Sequence, residues 1–122
     1  CAGQSHRTKA ESEAVLKTNV LKEWAACYTE EANLTNPLVS PVYADFQGLP
    51  PLLIQVGGAE VLHDQVIAFA QRARAAGVHV TLEIEPAMFH DWQLQSAMLP
   101  EGARSVEAAA RWLVAQLPSR AS

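Results

Sequence analysis

The run Leu52-Leu53-Ile54-Gln55-Val56, closed by Gly57-Gly58, restricts the fold of this chain more than any other segment. It is short, apolar on both sides of a period-two alternation and stopped by glycines, so it reads as a β-strand buried on both faces. A helix follows over about 62–76. Leu62, Val66, Phe69, Ala70 and Ala73 form its inner stripe, and Gln71, Arg72 and Arg74 face water. Asp64 in the first turn suits the helix dipole, and Gly77 suits the left-handed position after the last turn. Residues 78–85 then alternate, with Val78, Val80, Leu82 and Ile84 on one face and His79, Thr81, Glu83 and Glu85 on the other. That is a second strand with one wet face, near a sheet edge. Strand, helix, strand implies a parallel pair joined by a right-handed crossover. Two strands do not make a sheet with helices on both faces, so strand 52–56 requires neighbours beyond those this sequence supplies.

The flanking segments fit one α/β unit. Residues 1–16 are polar without a period and read as a connecting segment supported by further upstream structure. Residues 17–122 carry the helical, acid-loop and histidine-loop regions. A helix is expected from Thr18, as N-cap, to about residue 31, with Val20, Leu21, Trp24, Ala25, Cys27 and Tyr28 forming one apolar stripe. Pro37, Pro41, Pro50 and Pro51 keep 37–51 out of helix and central strand. A last helix is expected over about 100–117, starting at Pro100, with Val106, Ala109, Ala110, Leu113 and Leu117 against the sheet.

Composition narrows the function classes. With 122 residues, 49% apolar and 18% charged, the chain has room for one small domain with a real core and does not read as disordered. A net charge of −4 without a basic block lacks the phosphate-neutralising term of nucleic-acid binding. No apolar stretch approaches the ~20 residues that span a bilayer, and no signal peptide is recognisable. A cytoplasmic location is the expectation. Cys1 and Cys27 offer neither a disulfide framework nor a metal spacing, and Cys27 is expected to be a small buried apolar residue. The chain begins with Cys rather than Met, so more sequence is expected upstream.

Two residues stand where α/β proteins keep chemistry. His90, in Pro86-Ala87-Met88-Phe89-His90-Asp91, follows the end of the second strand. Glu60 follows the first strand behind Gly57-Gly58-Ala59, whose small size permits a sharp turn and close approach. Each has a plain alternative: His90 as a packed loop residue, Glu60 as an acid favouring the next helix through its dipole. Asp64 has that alternative more strongly. Taken together, an acid and a histidine at the ends of adjacent strands make an orienting pair. The carboxylate accepts from one imidazole nitrogen and fixes the tautomer, and the other nitrogen takes a proton from a hydroxyl.

From about Ser5 to Leu117 the chain resembles the carboxy-terminal part of the hormone-sensitive-lipase-like branch of the α/β-hydrolases, the bacterial family IV esterases. The matching pieces are Ser40-Pro41-Val42-Tyr43-Ala44-Asp45-Phe46-Gln47-Gly48-Leu49-Pro50-Pro51, then Leu52 to Asp64, Gly77-Val78-His79-Val80-Thr81-Leu82, and Met88-Phe89-His90-Asp91-Trp92-Gln93. The resemblance places Glu60 of Glu60-Val61-Leu62-His63-Asp64 at the triad acid of an Asp-Pro-Leu-x-Asp pattern. Glu there replaces Asp, and Asp64 is the fallback acid. It places His90 at the catalytic histidine and Trp92, Met88, Trp24 and Tyr28 at pocket walls, although core packing explains those four as well. It implies an α/β fold comprising the last parallel strands with flanking helices. It further implies carboxylic ester hydrolysis on small acyl esters, no metal or organic cofactor, no nucleic-acid partner and homodimerisation.

The nucleophile elbow G-x-S-x-G and a His-Gly-Gly-Gly oxyanion loop are absent from the sequence. Gly3-Gln4-Ser5-His6-Arg7 lacks the second glycine and a preceding strand, which makes Ser5 a false candidate. The amino-terminal half of a hydrolase is therefore an expected requirement, and the isolated chain is expected to be inactive. The rival class is a non-catalytic α/β binding module on the same fold. A flavodoxin-like nucleotide binder fits poorly, because Gly57-Gly58 lacks the spaced glycines of a phosphate loop.

Overall fold

The computed structural model describes residues 4–11 and 13–118, which fall into two compact units that divide between His90 and Asp91. Cys1 and Gly3 lie outside the described residues. The first unit holds helix α1 (Ser5–Thr8), helix α2 (Thr18–Tyr28), strand β1 (Leu52–Gly57), helix α3 (His63–Ala75) and strand β2 (Val80–Glu85). The second holds a 3-10 turn, Trp92–Gln95, and helix α4 (Pro100–Gln116).

β1 and β2 pair in parallel, in register from Leu52 opposite Val80 to Gly57 opposite Glu85. This is the geometry that a strand–helix–strand order demands, since a parallel neighbour is reached only through a crossover. Gly77, at φ +85°, ends α3, and the amide of Val78 donates back to the Ala73 carbonyl at 3.0 Å. A left-handed residue costs glycine little, which is why the chain can reverse there within three residues of the next strand.

The core of this unit is small. Phe46, Ala73 and Val78 are buried together, with Leu52, Phe69, Ala76 and Val80 packed around them. Phe46 meets Phe69 edge to face, ring centres 5.0 Å apart at 87°. That aromatic contact, worth about 1 kcal/mol beyond its area, anchors the proline-rich stretch, which forms a 3-10 turn at Pro41–Tyr43 and neither α-helix nor strand.

Several expectations from pattern need correction. β1 is only half-buried except at Val56 and Gly57, because among the described residues it pairs with β2 alone. α2 buries none of its residues: Trp24 is 60% and Tyr28 74% exposed, and Cys27 is a free, exposed thiol rather than a core residue. Thr18 does not cap α2; it is the first helical residue, after Lys17, and its hydroxyl donates to the His6 carbonyl. Val106 and Leu113 of α4, and Leu117 just after it, are exposed. On β2 the expected apolar face ends in an exposed Ile84. Within the polar stretch 1–16, Ser5–Thr8 are helical and Ser5 and Glu13 are buried.

In the second unit, Asp91 enters the 3-10 turn at φ 57°, a left-handed conformation that Asp tolerates better than most residues. Trp92 is buried, and its indole N–H donates to the Ser105 hydroxyl of α4 at 3.1 Å. A side chain at Gly102 would strike the Trp92 carbonyl, so a glycine there lets α4 press onto the turn.

Candidate active site

The carboxyl ends of β1 and β2 lead into two loops that are fastened to each other by backbone. Gly58 N–H donates to the Glu85 carbonyl at 2.7 Å, and Ala59 N–H to the Met88 carbonyl at 3.0 Å. Two glycines make this approach possible. A Cβ on Gly57 would fall on the Met88 carbonyl, and one on Gly58 would fall on the Pro86 carbonyl. Both obstacles are backbone, so neither yields by a rotamer change.

Within this frame Glu60 turns back on its own loop. Gly57 N–H donates to Glu60 Oε2 at 3.0 Å, and the other oxygen, Oε1, lies 3.6 Å from His90 Nδ1. The Glu60 side chain is 5% exposed and that of His90 27%. At 3.6 Å the two groups face each other slightly beyond hydrogen-bond distance. A buried carboxylate with one oxygen on a backbone N–H and the other facing an imidazole is held in a single orientation.

Asp64 stands elsewhere. Ser5 N–H donates to its Oδ2 at 2.7 Å, and His63 Nδ1 lies 3.2 Å from its Oδ1. The Ser5 amide, followed by His63, holds the Asp64 carboxyl below the usual carboxylate range. The Ser5 hydroxyl donates to the Val61 carbonyl at 2.7 Å and accepts from Asp64 N–H at 3.2 Å. Ser5 and Asp64 thus join α1 to the start of α3. Of the two candidate acids, Glu60 is the one beside His90.

The proposed pocket residues scatter. Met88 contributes its backbone to the loop junction, Trp92 is buried in the second unit against Ser105, and Trp24 and Tyr28 are exposed on α2. An apolar groove of about 590 Å³ runs beside the middle of β1, α3 and the Pro41 turn, bordered by Leu53, Ile54, Val66 and Phe69. It is lined by none of those four residues, nor by Glu60 or His90. Among the described residues no group of three or more His, Cys, Asp and Glu side chains converges as metal ligands would.

Sequence reasoning missed Glu13. It is 1% exposed, and its carboxylate accepts from the amides of Val15 and Val61 at 2.9 and 3.3 Å. Its sequence context is polar and aperiodic, so no local signal marks it.

The family-level match lies in most of the chain: an α/β-hydrolase-fold family model covers residues 2–94, and the chain belongs to that family, in its hormone-sensitive-lipase-like branch. It is 46% identical over 113 residues to an acetyl-hydrolase of Streptomyces hygroscopicus, covering 93% of this chain and 38% of that protein. It is 32% identical over 104 residues to an esterase of Acinetobacter venetianus, covering 84% of this chain and 34% of that protein. Among solved structures, an esterase of the bacterial hormone-sensitive lipase family superposes with a TM-score of 0.90 at 41% identity. That match covers 95% of this chain and 39% of the esterase. The chain therefore spans well under half the length of these relatives, as a carboxy-terminal portion of the fold would. No helix among the described residues is long and apolar enough to cross a membrane.

Proposed function

We propose that this chain supplies the acid and the base of a carboxylic ester hydrolase, with Glu60 and His90 as two members of a Ser-His-Glu triad. The observation that carries the reading is the Glu60 Oε1–His90 Nδ1 pairing at 3.6 Å, on loops at the ends of adjacent parallel strands. The esterase and acetyl-hydrolase relatives support it. The serine and the oxyanion donors come from chain outside these residues, in an amino-terminal half that completes the hydrolase.

In that enzyme Glu60 accepts a hydrogen bond from the Nδ1–H of His90, which fixes that tautomer and leaves Nε2 as the base. Nε2 removes the serine proton as the hydroxyl attacks the ester carbonyl, then returns it to the departing alkoxide. Water, deprotonated by the same nitrogen, hydrolyses the acyl-enzyme, and the proton goes back to serine. The substrates are small acyl esters. The pocket walls, including any part played by Met88, Trp92, Trp24 and Tyr28, are completed by the remainder of the enzyme, which acts in the cytoplasm and pairs as a homodimer.

The test is hydrolysis of p-nitrophenyl acetate by the complete hydrolase. His90→Ala is expected to lower kcat by about 10⁴-fold or more, and the 122-residue chain alone is expected to be inactive. Turnover by the isolated chain that is abolished by His90→Ala would overturn the division of labour.

A further inference from the structure

We infer that Glu13 is a positioning residue for the reaction proposed above: one buried carboxylate fixes the backbone of both Glu60's loop and His90. The inference rests on that functional reading for its consequence and on geometry for its substance. Glu13 Oε2 accepts from the amide of Val61, the residue directly after Glu60, at 3.3 Å. Its Oε1 accepts from the amide of His90 itself at 3.5 Å, the long end of hydrogen bonding, and from Val15 at 2.9 Å. These partners lie 48 and 77 residues along the chain from Glu13 for Val61 and His90 respectively. A single side chain therefore ties together, beyond the backbone bonds between the loops, the acid loop and His90 itself, whose spacing decides whether Glu60 reaches His90.

The residue type follows from the donors. An ionised carboxylate has two acceptor oxygens and no donor, so it serves amides arriving from three directions. An isosteric amide keeps one oxygen and turns an N–H₂ group toward the amides on the other side, leaving buried donors face to face. An apolar residue removes every one of these acceptors. The Glu13 carbonyl also accepts from Lys17 Nζ, which secures the segment carrying it. Ser5 provides the contrast. It bonds the acid-loop backbone at the Val61 carbonyl and the Asp64 amide and makes no bond to His90, so it anchors the same segment without spanning both loops.

The experiment compares Glu13→Gln, Glu13→Asp and Ser5→Ala in the complete hydrolase. Glu13→Gln is expected to lower kcat about 10- to 100-fold with KM within about twofold, because misplacement of reacting groups by a fraction of an ångström acts on the chemical step. Glu13→Asp keeps both acceptors on a shorter arm and is expected to lose about 3- to 10-fold. Ser5→Ala is expected to melt a few degrees lower, about 2–8 °C, with kcat within about twofold. Wild-type kcat in a folded Glu13→Gln or, should that variant not fold, in Glu13→Asp overturns the proposal. So does a kcat loss in Ser5→Ala equal to that of a Glu13 variant with the same melting temperature. Nitrogen-15 spectra of the His90 ring read the geometry without turnover. The Nδ1-protonated tautomer is expected to dominate in the wild type and to mix with the other form in a Glu13 variant; an unchanged tautomer ratio overturns the proposal. A wild-type protein with no esterase activity whose tautomer still responds to Glu13 would sink the hydrolase reading and leave the positioning role standing.

Discussion

The acid and histidine loops and helix α2 make opposite use of their sequences. Residues 57–64 and 85–90 contain glycines, charges and turns, yet they form the most tightly specified part of the first unit: Glu60 and Val61 are buried, and backbone bonds cross between the loops. Helix α2 has the cleaner pattern, with an apolar stripe at helical spacing, yet buries nothing. Amphipathic periodicity predicts that an element forms; it does not say what covers it. The loops hold their shape because their polar groups find partners inside the unit, whereas the stripe of α2 has only apolar surface to offer and is at most half-covered, with Trp24, Cys27 and Tyr28 exposed.

The sharpest way to break this contrast is at the acid. Glu60→Gln in the complete hydrolase is expected to lower kcat by about 10³- to 10⁴-fold, since an amide no longer enforces the productive tautomer. Asp64→Asn is expected to leave kcat within about threefold, because Asp64 serves Ser5 and His63. Steady-state kinetics of the two variants decide between them, and the reverse order would transfer the acid role to Asp64.

Next in size are the glycines. Gly58→Ala drives a methyl group into the Pro86 carbonyl. Overpacking of this kind costs about 1–3 kcal/mol, so urea melts are expected to show a clear loss, and the loop displacement is expected to lower kcat as well. A neutral Gly58→Ala would mean that the two loops are not held at their observed distance.

Smaller still is a pH effect at Asp64. Its folded-state carboxyl is depressed, first by the Ser5 amide. The resulting stability is fully present above the unfolded-state value near pH 3.9 and is lost as pH falls through the lower folded-state value. The side chain is 37% exposed, so solvent screening keeps the contribution modest. Melting curves are expected to show wild type above Asp64→Asn at pH 6, with the gap closing below about pH 4. A constant gap across that range would sever the link to ionisation. The smallest effect is expected at Trp24: Trp24→Ser in the isolated chain should shift stability by no more than about 0.5 kcal/mol. A larger loss would show the stripe to be covered after all.

Much of the fold was legible. The glycine at the end of α3, the parallel strand pair and Pro100 at the start of α4 all follow from local backbone preferences, which act within a few residues. Glu60 and His90 were legible as a pair because each follows a strand, and parallel neighbours bring their carboxyl ends together. Glu13 was not, because nothing near it in sequence records amides 48 and 77 residues away. Nor did periodicity foresee the exposure of Trp24, Cys27 and Leu113, since burial depends on what stands opposite.

Sequence by itself determined the strand–helix–strand unit and its parallel pairing, the start of α4 at Pro100, and that Gly57 and Gly58 stand between the apolar run of the first strand and its acid. Short-range sterics and alternation suffice for that. Only the tertiary structure decided which acid meets His90, how close the two loops lie, and that a carboxylate from the polar amino-terminal stretch fastens both. Those outcomes depend on hydrogen bonds between residues far apart in the chain, and such bonds leave no period in the sequence to read.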